Sequence, residues 1–244
     1  MRLSCPPRPE RPGGTSLTRR RFTIIYDFDG TLFPFQPWDS EQELLLSRLQ
    51  AVHSPFWRRW YGRLVAEGDR RGWLLQSFKR RYLALLRGTP EAFVEQVAAR
   101  LAERLPPEDR EAVLSLKRRG HRLMVASCGT ADLSERILAR CGLLPCFEAV
   151  YANRFVFDQG RIAGLRLEVP SGRAKLEIVR SLGIDPAGAV AVGDGATDLP
   201  LWQWSAVPVV VDRSGRARTG RWPETYRLVT SCAAVLDIVQ GLGG

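Results

Sequence analysis

From residue 108 onward, short β-branched runs alternate with helix-length amphipathic segments, and no other feature of the chain constrains its fold as much. A helix over 108–119, closed by Gly120, leads to a strand over 122–126, and a helix over 132–141 follows. Residues 153–169 hold two alternating runs around Asp158-Gln159-Gly160-Arg161 and read as a β-hairpin. A helix over 174–182 precedes a strand over 189–193. A short helix begins near Asp198, and strands over 207–211 and 226–229 lead into a last helix. Parallel neighbours need crossover connections, so the pattern predicts an α/β fold: a doubly wound, Rossmann-like parallel sheet covered on both faces. Ligands of such sheets gather beyond the carboxyl ends of the strands.

Ahead of this alternation, residues 22–26 (FTIIY) read as one more buried strand, which places Asp27 at its C-terminal end. Between residues 40 and 105 the pattern is helical. Leu44, Leu45 and Leu49, then Trp73, Leu74, Phe78, Tyr82 and Leu85, recur at helical spacing with no β-rich run. Thr89-Pro90-Glu91 starts a helix reaching about residue 105, and Pro106-Pro107 stops it. The predicted organisation is a disordered basic tail (1–21), a core built from 22–36 and 107–244, and an inserted helical cap (37–106).

Composition narrows the class. With 45% hydrophobic and 25% charged residues in 244, the chain can bury one good core plus an accessory unit. No stretch approaches the roughly 18 apolar residues of a membrane span, and the tail lacks the apolar stretch of a secretory signal. Five cysteines form no C-x-x-C pair, which argues against a zinc site or a complete disulfide framework and points to a reducing cytoplasm. His53 and His121 lie in no ligand spacing and are read as structural. About half of the +10 charge comes from six arginines against one glutamate in the tail. The rest reads as a solvated basic surface or as a field drawing phosphorylated substrates. Nucleic-acid binding ranks third, because no recognised module accompanies the charge.

Two acidic motifs stand at strand ends. In Asp27-Phe28-Asp29-Gly30-Thr31, carboxylates two residues apart project the same way if strand geometry holds. One can attack a phosphoryl group while the other moves protons. Gly193-Asp194-Gly195-Ala196-Thr197-Asp198 follows the apolar AVAV run. Mg²⁺ takes one or two carboxylates together with waters and phosphate oxygens, and Asp27 and Asp194 can supply them. Ser127, at a strand end before the turn Cys128-Gly129-Thr130, and Lys175, near a helix start, offer a hydroxyl, backbone donors and a charge to phosphate.

In the order of these four motifs the chain resembles the haloacid dehalogenase superfamily, over residues 22–240. The resemblance implies Asp27 as nucleophile and Asp29 as general acid/base and, through its backbone carbonyl, metal ligand. It implies Thr31, Ser127, Cys128 and Lys175 as phosphate binders, Asp194 as a Mg²⁺ ligand and Asp198 as an acidic residue near the metal. The insert between Asp29 and Ser127, with only a hairpin between Ser127 and Lys175, is similar to the first cap type of the phosphoserine phosphatase group. Two positions depart from that group and leave the substrate open. Gln36 stands where a glutamate is expected, and Thr197 replaces an asparagine; Asp39 could stand in for the missing acid if the Phe33-Pro34-Phe35 segment kinks.

The expected activity is Mg²⁺-dependent hydrolysis of a small phosphorylated metabolite. The alternatives are a phosphotransferase or phosphomutase, a phospho-switch, and a nucleic-acid-binding protein. The insert's aromatic and basic residues, among them Trp57, Arg58, Arg59, Trp60, Arg63 and Trp73, read first as packing and solvated surface. Contact with a leaving group or a phospholipid surface is the second reading.

Overall fold

The computed structural model describes residues 20–35, 37–51, 55–74, 77–213 and 222–242. Gln36, His53 and residues 1–19 of the expected tail lie outside them. The tail's last two residues are described: Arg20 donates to the Ala187 carbonyl at 2.8 Å and lies over the Phe22 ring.

Among the described residues seven strands form one sheet in the order β4-β3-β2-β1-β5-β6-β7. They are β1 (Thr23–Tyr26), β2 (Arg122–Thr130), β3 (Val150–Asp158), β4 (Arg161–Arg166), β5 (Ala189–Gly193), β6 (Val207–Val211) and β7 (Arg227–Val229). All neighbours run parallel except the β3–β4 hairpin. Period-two alternation sends the β1 side chains to opposite faces. Ile24 and Tyr26 join the larger apolar cluster, and Ile25 joins a second one with Val179, Leu201 and Trp202. The sheet is thus covered on both sides, as the β-branched runs require.

Helices α1 (Ser40–Ala51), α2 (Phe56–Arg70), α3 (Phe78–Leu86) and α4 (Glu91–Ala102) intervene between β1 and β2, ahead of α5 (Pro107–Arg118). Then come α6 (Ala131–Arg140), α7 (Gly172–Ser181), α8 (Leu199–Trp204) and α9 (Ala233–Leu242). The inserted helices are stitched to the hairpin. Gly88 donates to the Ile162 carbonyl at 2.8 Å, Ile162 to that of Thr89 at 2.9 Å, and Glu91 to that of Gly160 at 2.8 Å.

Three local expectations change. β2 runs on through Cys128-Gly129-Thr130 to the first residue of α6, with its ladder to β3 irregular between Ala126 and Thr130, so no turn separates strand from helix. The helix from Glu91 stops at Ala102, and Pro107 is the first residue of the next helix. A proline suits that position, since its missing N–H would have had no intrahelical partner. β1 ends at Tyr26, so strand geometry does not carry Asp27 and Asp29 to one side.

Candidate active site

What brings Asp27 and Asp29 together is a closed loop. The Asp27 amide donates to the Val192 carbonyl of β5 at 2.8 Å, which ties the first residue past β1 to the neighbouring strand. The chain then folds back: Phe33 donates to the Phe28 carbonyl and Gly30 to that of Phe33, each at 2.8 Å, while the Phe28 and Phe33 rings stack 5.8 Å apart. Gly30 has φ +79°, and a Cβ there would collide with the Asp194 carboxylate. Only glycine meets both demands.

Behind Asp27 lies a fully buried ammonium. Lys175 Nζ is 3.0 Å from Asp27 Oδ2 and 2.7 Å from Asp198 Oδ1. Burial disfavours its charge, but Asp198 and Asp27 overcome that and hold its pKa above the ordinary lysine value. Asp198 Oδ2 accepts from the amides of Asp194 at 3.1 Å and Gly195 at 3.2 Å. Both oxygens of Asp198 are therefore engaged by protein donors. A Cβ on Gly193 would strike the Asp198 side chain, and one on Gly172, at the start of α7, the Thr197 carbonyl, so two glycines let strand, acidic loop and α7 close up.

Carboxylate oxygens of Asp27, Asp194 and Asp198 lie within 4.8 Å of one another. Burial, then Asp198 and Asp27, push the Asp194 carboxyl well above its ordinary range. One lysine does not balance three carboxylates, so this hard-oxygen donor set fits a divalent cation. With Asp198 occupied, Asp27 and Asp194 are the carboxylates left to face it.

Asp29 stands across a cavity of about 240 Å³, which Asp27, Ser127 and Cys128 also line. Its Oδ1 accepts from the Ser40 amide at 2.8 Å and its Oδ2 from the Ser40 hydroxyl at 2.9 Å. Burial raises its pKa to about 7, Ser40 opposes the rise, and Glu41 and Asp27 add to it. Beyond Asp29 the lining turns acidic, with Asp39, Glu41 and Asp69 alongside Lys79 and Phe78. Glu41 pairs with Lys79 and accepts from the Thr130 hydroxyl, while Asp69 accepts from Gln42 Nε2 at 2.9 Å. Burial first, and the charges of Asp29 and Glu41 next, raise the Asp39 carboxyl well above its usual range.

Most residues singled out in the sequence meet here. Asp27, Asp29, Asp39, Ser127, Cys128 and Thr197 line the cavity, and Lys175, Asp194 and Asp198 sit beside or behind Asp27. Ser127 Oγ accepts from the Gly129 amide at 3.1 Å, and Asn153 holds this strand end by donating to the Cys128 carbonyl at 2.7 Å. Thr31 is not in the lining; it is fully buried, and its hydroxyl has no hydrogen-bond partner among the described residues. Glu41, Asp69, Phe78 and Lys79 were not foreseen in this lining. Asp69, Phe78 and Lys79 come from α2 and α3, and only a carboxylate placed early in α1 hinted at Glu41.

Residues 24–203 match the haloacid dehalogenase-like hydrolase family. The chain belongs to that family. This haloacid dehalogenase-like chain is 30% identical over 188 residues to a phosphoserine phosphatase of Wolinella succinogenes, covering 74% of itself and 82% of that protein. It is 27% identical over 205 residues to a phosphoserine phosphatase of Methanocaldococcus jannaschii, covering 79% and 86%. Among solved structures it is similar to a phospho-aspartyl intermediate analogue of phosphoserine phosphatase, with a TM-score of 0.66, 22% identity and coverage of 90% and 99%. It is also similar to a phosphoserine phosphohydrolase-like protein from Francisella tularensis, with a TM-score of 0.67, 17% identity and coverage of 89% and 99%. At such identities the structural likeness establishes the shared fold. The chain is a phosphatase of the phosphoserine phosphatase-like kind, hydrolysing phosphoesters. Among its described residues no helix is long and apolar enough to cross a membrane.

Proposed function

We propose that this phosphatase hydrolyses a small phosphomonoester in two steps through an aspartyl-phosphate on Asp27. The observation that carries the reading is the pairing of unlike carboxyls across one cavity. Asp27 is held by a buried lysine, and Asp29 is poised near neutrality. Asp27 attacks phosphorus, the bond from phosphorus to the ester oxygen breaks, and protonated Asp29 gives its proton to the departing alkoxide. Asp29, now ionised, takes a proton from water. The resulting hydroxide attacks the acyl-phosphate at phosphorus, releasing phosphate and restoring Asp27. Ser127, its neighbouring amides and Lys175 supply donors and positive charge around the phosphoryl oxygens. Mg²⁺, held by Asp27 and Asp194 and supported by Asp198, would neutralise charge on the phosphate when bound. The helical insert acts as a cap that closes this chamber to bulk water.

The acidic end of the cavity narrows the leaving group. An alcohol bearing an ammonium group would relieve the crowding of Asp39, Glu41 and Asp69. One bearing a carboxylate would meet three acids and a lysine already paired with Glu41. The preferred substrate is therefore a phosphate ester of a small amino alcohol, and not of a hydroxy acid.

Hydrolysis of a generic aryl phosphate with Mg²⁺ tests the core of the reading: chelator and Asp27→Asn should each abolish it. Full activity in Asp27→Asn would overturn the assignment. Amino-alcohol phosphates should exceed hydroxy-acid phosphates of equal size by about tenfold in kcat/KM, a difference of about 1.4 kcal/mol.

A further inference from the structure

Helix α2 inverts the usual sorting of side chains. It buries Gly62, Val65, Ala66 and Gly68, and it exposes its largest apolar residues. Phe56 is 83% exposed, Trp57 65%, Trp60 57% and Leu64 47%. The close approach to α1 explains the small residues, since a Cβ on Gly62 would run into Leu49. It does not explain the aromatics. Phe56, Trp60 and Leu64 follow one another at four-residue spacing with Trp57 beside them, so they make one continuous outward ridge. Arg59 and Arg63 flank that ridge, both exposed and neither ion-paired among the described residues. On the Trp57 side a cleft of about 440 Å³ opens between α2 and α3, bordered by Arg58, Arg80 and Arg81. Among the described residues no acidic side chain lines it.

We propose that this face of the cap docks on the surface of an anionic lipid bilayer, with the ridge in the headgroup layer and the arginines on lipid phosphates. The argument is charge complementarity joined to the chemistry of the exposed residues. Tryptophan combines an apolar body with a polar N–H and settles at the boundary between acyl chains and water. Arginines with no carboxylate partner are matched by anionic headgroups. The helix is amphipathic, basic and too polar to cross the membrane, so it lies along the interface. The sequence alone weighted these aromatics toward packing; their exposure reverses that weighting. The inference concerns the outer surface of the cap and does not depend on the reading of the cavity.

The test is co-sedimentation of the full chain with phosphatidylcholine vesicles, with and without phosphatidylglycerol, alongside activity on a soluble aryl phosphate and a thermal melt. Binding should require phosphatidylglycerol and weaken as salt rises. Trp57→Ser with Trp60→Ser should lower partitioning about tenfold or more. Arg59→Gln or Arg63→Gln should each lower it about fivefold. Soluble activity and the melt should stay unchanged throughout. Brominated lipid should quench tryptophan fluorescence in the wild-type chain and quench it less in the double variant. Vesicle binding unaffected by these substitutions would overturn the proposal, as would absence of binding. So would a wild-type dimer that Trp60→Ser dissociates, since the ridge would then be covered by a second copy.

Discussion

The Arg213 guanidinium reaches back 182 residues to the carbonyl of Thr31, to which its Nε donates a hydrogen bond at 3.1 Å. The same group bonds the Leu32 carbonyl at 3.3 Å and pairs with buried Asp109 at 2.6 Å. Asp109 in turn accepts from the Ala233 amide at 2.7 Å, so the first residue of α9 is held by the same carboxylate. The loop carrying Asp27 and Asp29 is therefore fastened by a residue just past β6, two strands away from β1 in the sheet.

Removing that fastening has a sign and a size. Arg213→Met leaves Asp109 buried without its cation and should cost about 3 kcal/mol in urea unfolding. Arg213→Lys should recover only part of this, because one ammonium cannot reproduce a planar fork serving two carbonyls and a carboxylate. If Arg213→Met unfolds at the wild-type denaturant concentration, the clamp is ornamental.

Gly30→Ala should cripple catalysis by displacing the Asp194 carboxylate, which a Cβ at this left-handed position would strike. A misplacement of about 1 Å at a reacting centre lowers kcat about a hundredfold. Steady-state kinetics across a Mg²⁺ titration, with circular dichroism to verify folding, measures the effect.

Stability should carry a pH signature from Asp69 in α2. Burial first, with Glu41 adding, raises the Asp69 carboxyl from 3.8 to about 6, while Gln42 and Lys79 oppose the rise. Between those values the folded chain binds more protons than the unfolded one, so stability falls as pH rises from about 4 to about 6 and this contribution is level above. Asp69→Asn keeps an acceptor for Gln42 and removes the slope. It should gain about 1 kcal/mol at pH 7 and nothing below pH 4, as thermal melts across that range would show.

Cys128 sits in the cavity yet should be a sluggish nucleophile. Burial and the charge of Asp27 outweigh the opposing pull of Lys175 and Lys79 and push its thiol from 9.0 to about 11. In metal-free protein carrying Cys5→Ser, iodoacetamide at pH 8 should label Cys128 about a hundredfold more slowly than an ordinary thiol, with the rate still climbing toward pH 11. A rate equal to that of free cysteine would contradict this.

The strands and the order of the four motifs were legible because they are local. β-branched runs such as AVAV, helix starts and the glycines between them carry their meaning within about ten residues. At the acidic end of the cavity only Asp39 was legible. Asp39 precedes α1, Glu41 belongs to it, Asp69 lies in α2 and Lys79 in α3, and their convergence depends on how three helices pack. Helical spacing likewise shows that α2 has two unlike faces without showing which one meets the core. There the tight contact of Gly62 with Leu49 decided against hydrophobicity. Strand geometry would align Asp27 and Asp29 only if β1 ran on past Tyr26, where it ends, and a hydrogen-bonded loop takes the place of the pleat.

The central place of β1 bears on how the enzyme comes into being. Its partners, β2 and β5, arrive about a hundred and about a hundred and seventy residues later, and each delivers one side of the chamber. No contiguous fragment short of both can assemble Asp27, its lysine and the second acidic loop. Closing such distant pairings is slow, so enzymatic activity should return only with the final kinetic phase of refolding, after helix content measured by circular dichroism is complete. A nascent chain still lacking β5 would thus be unable to attack any phosphate ester around it.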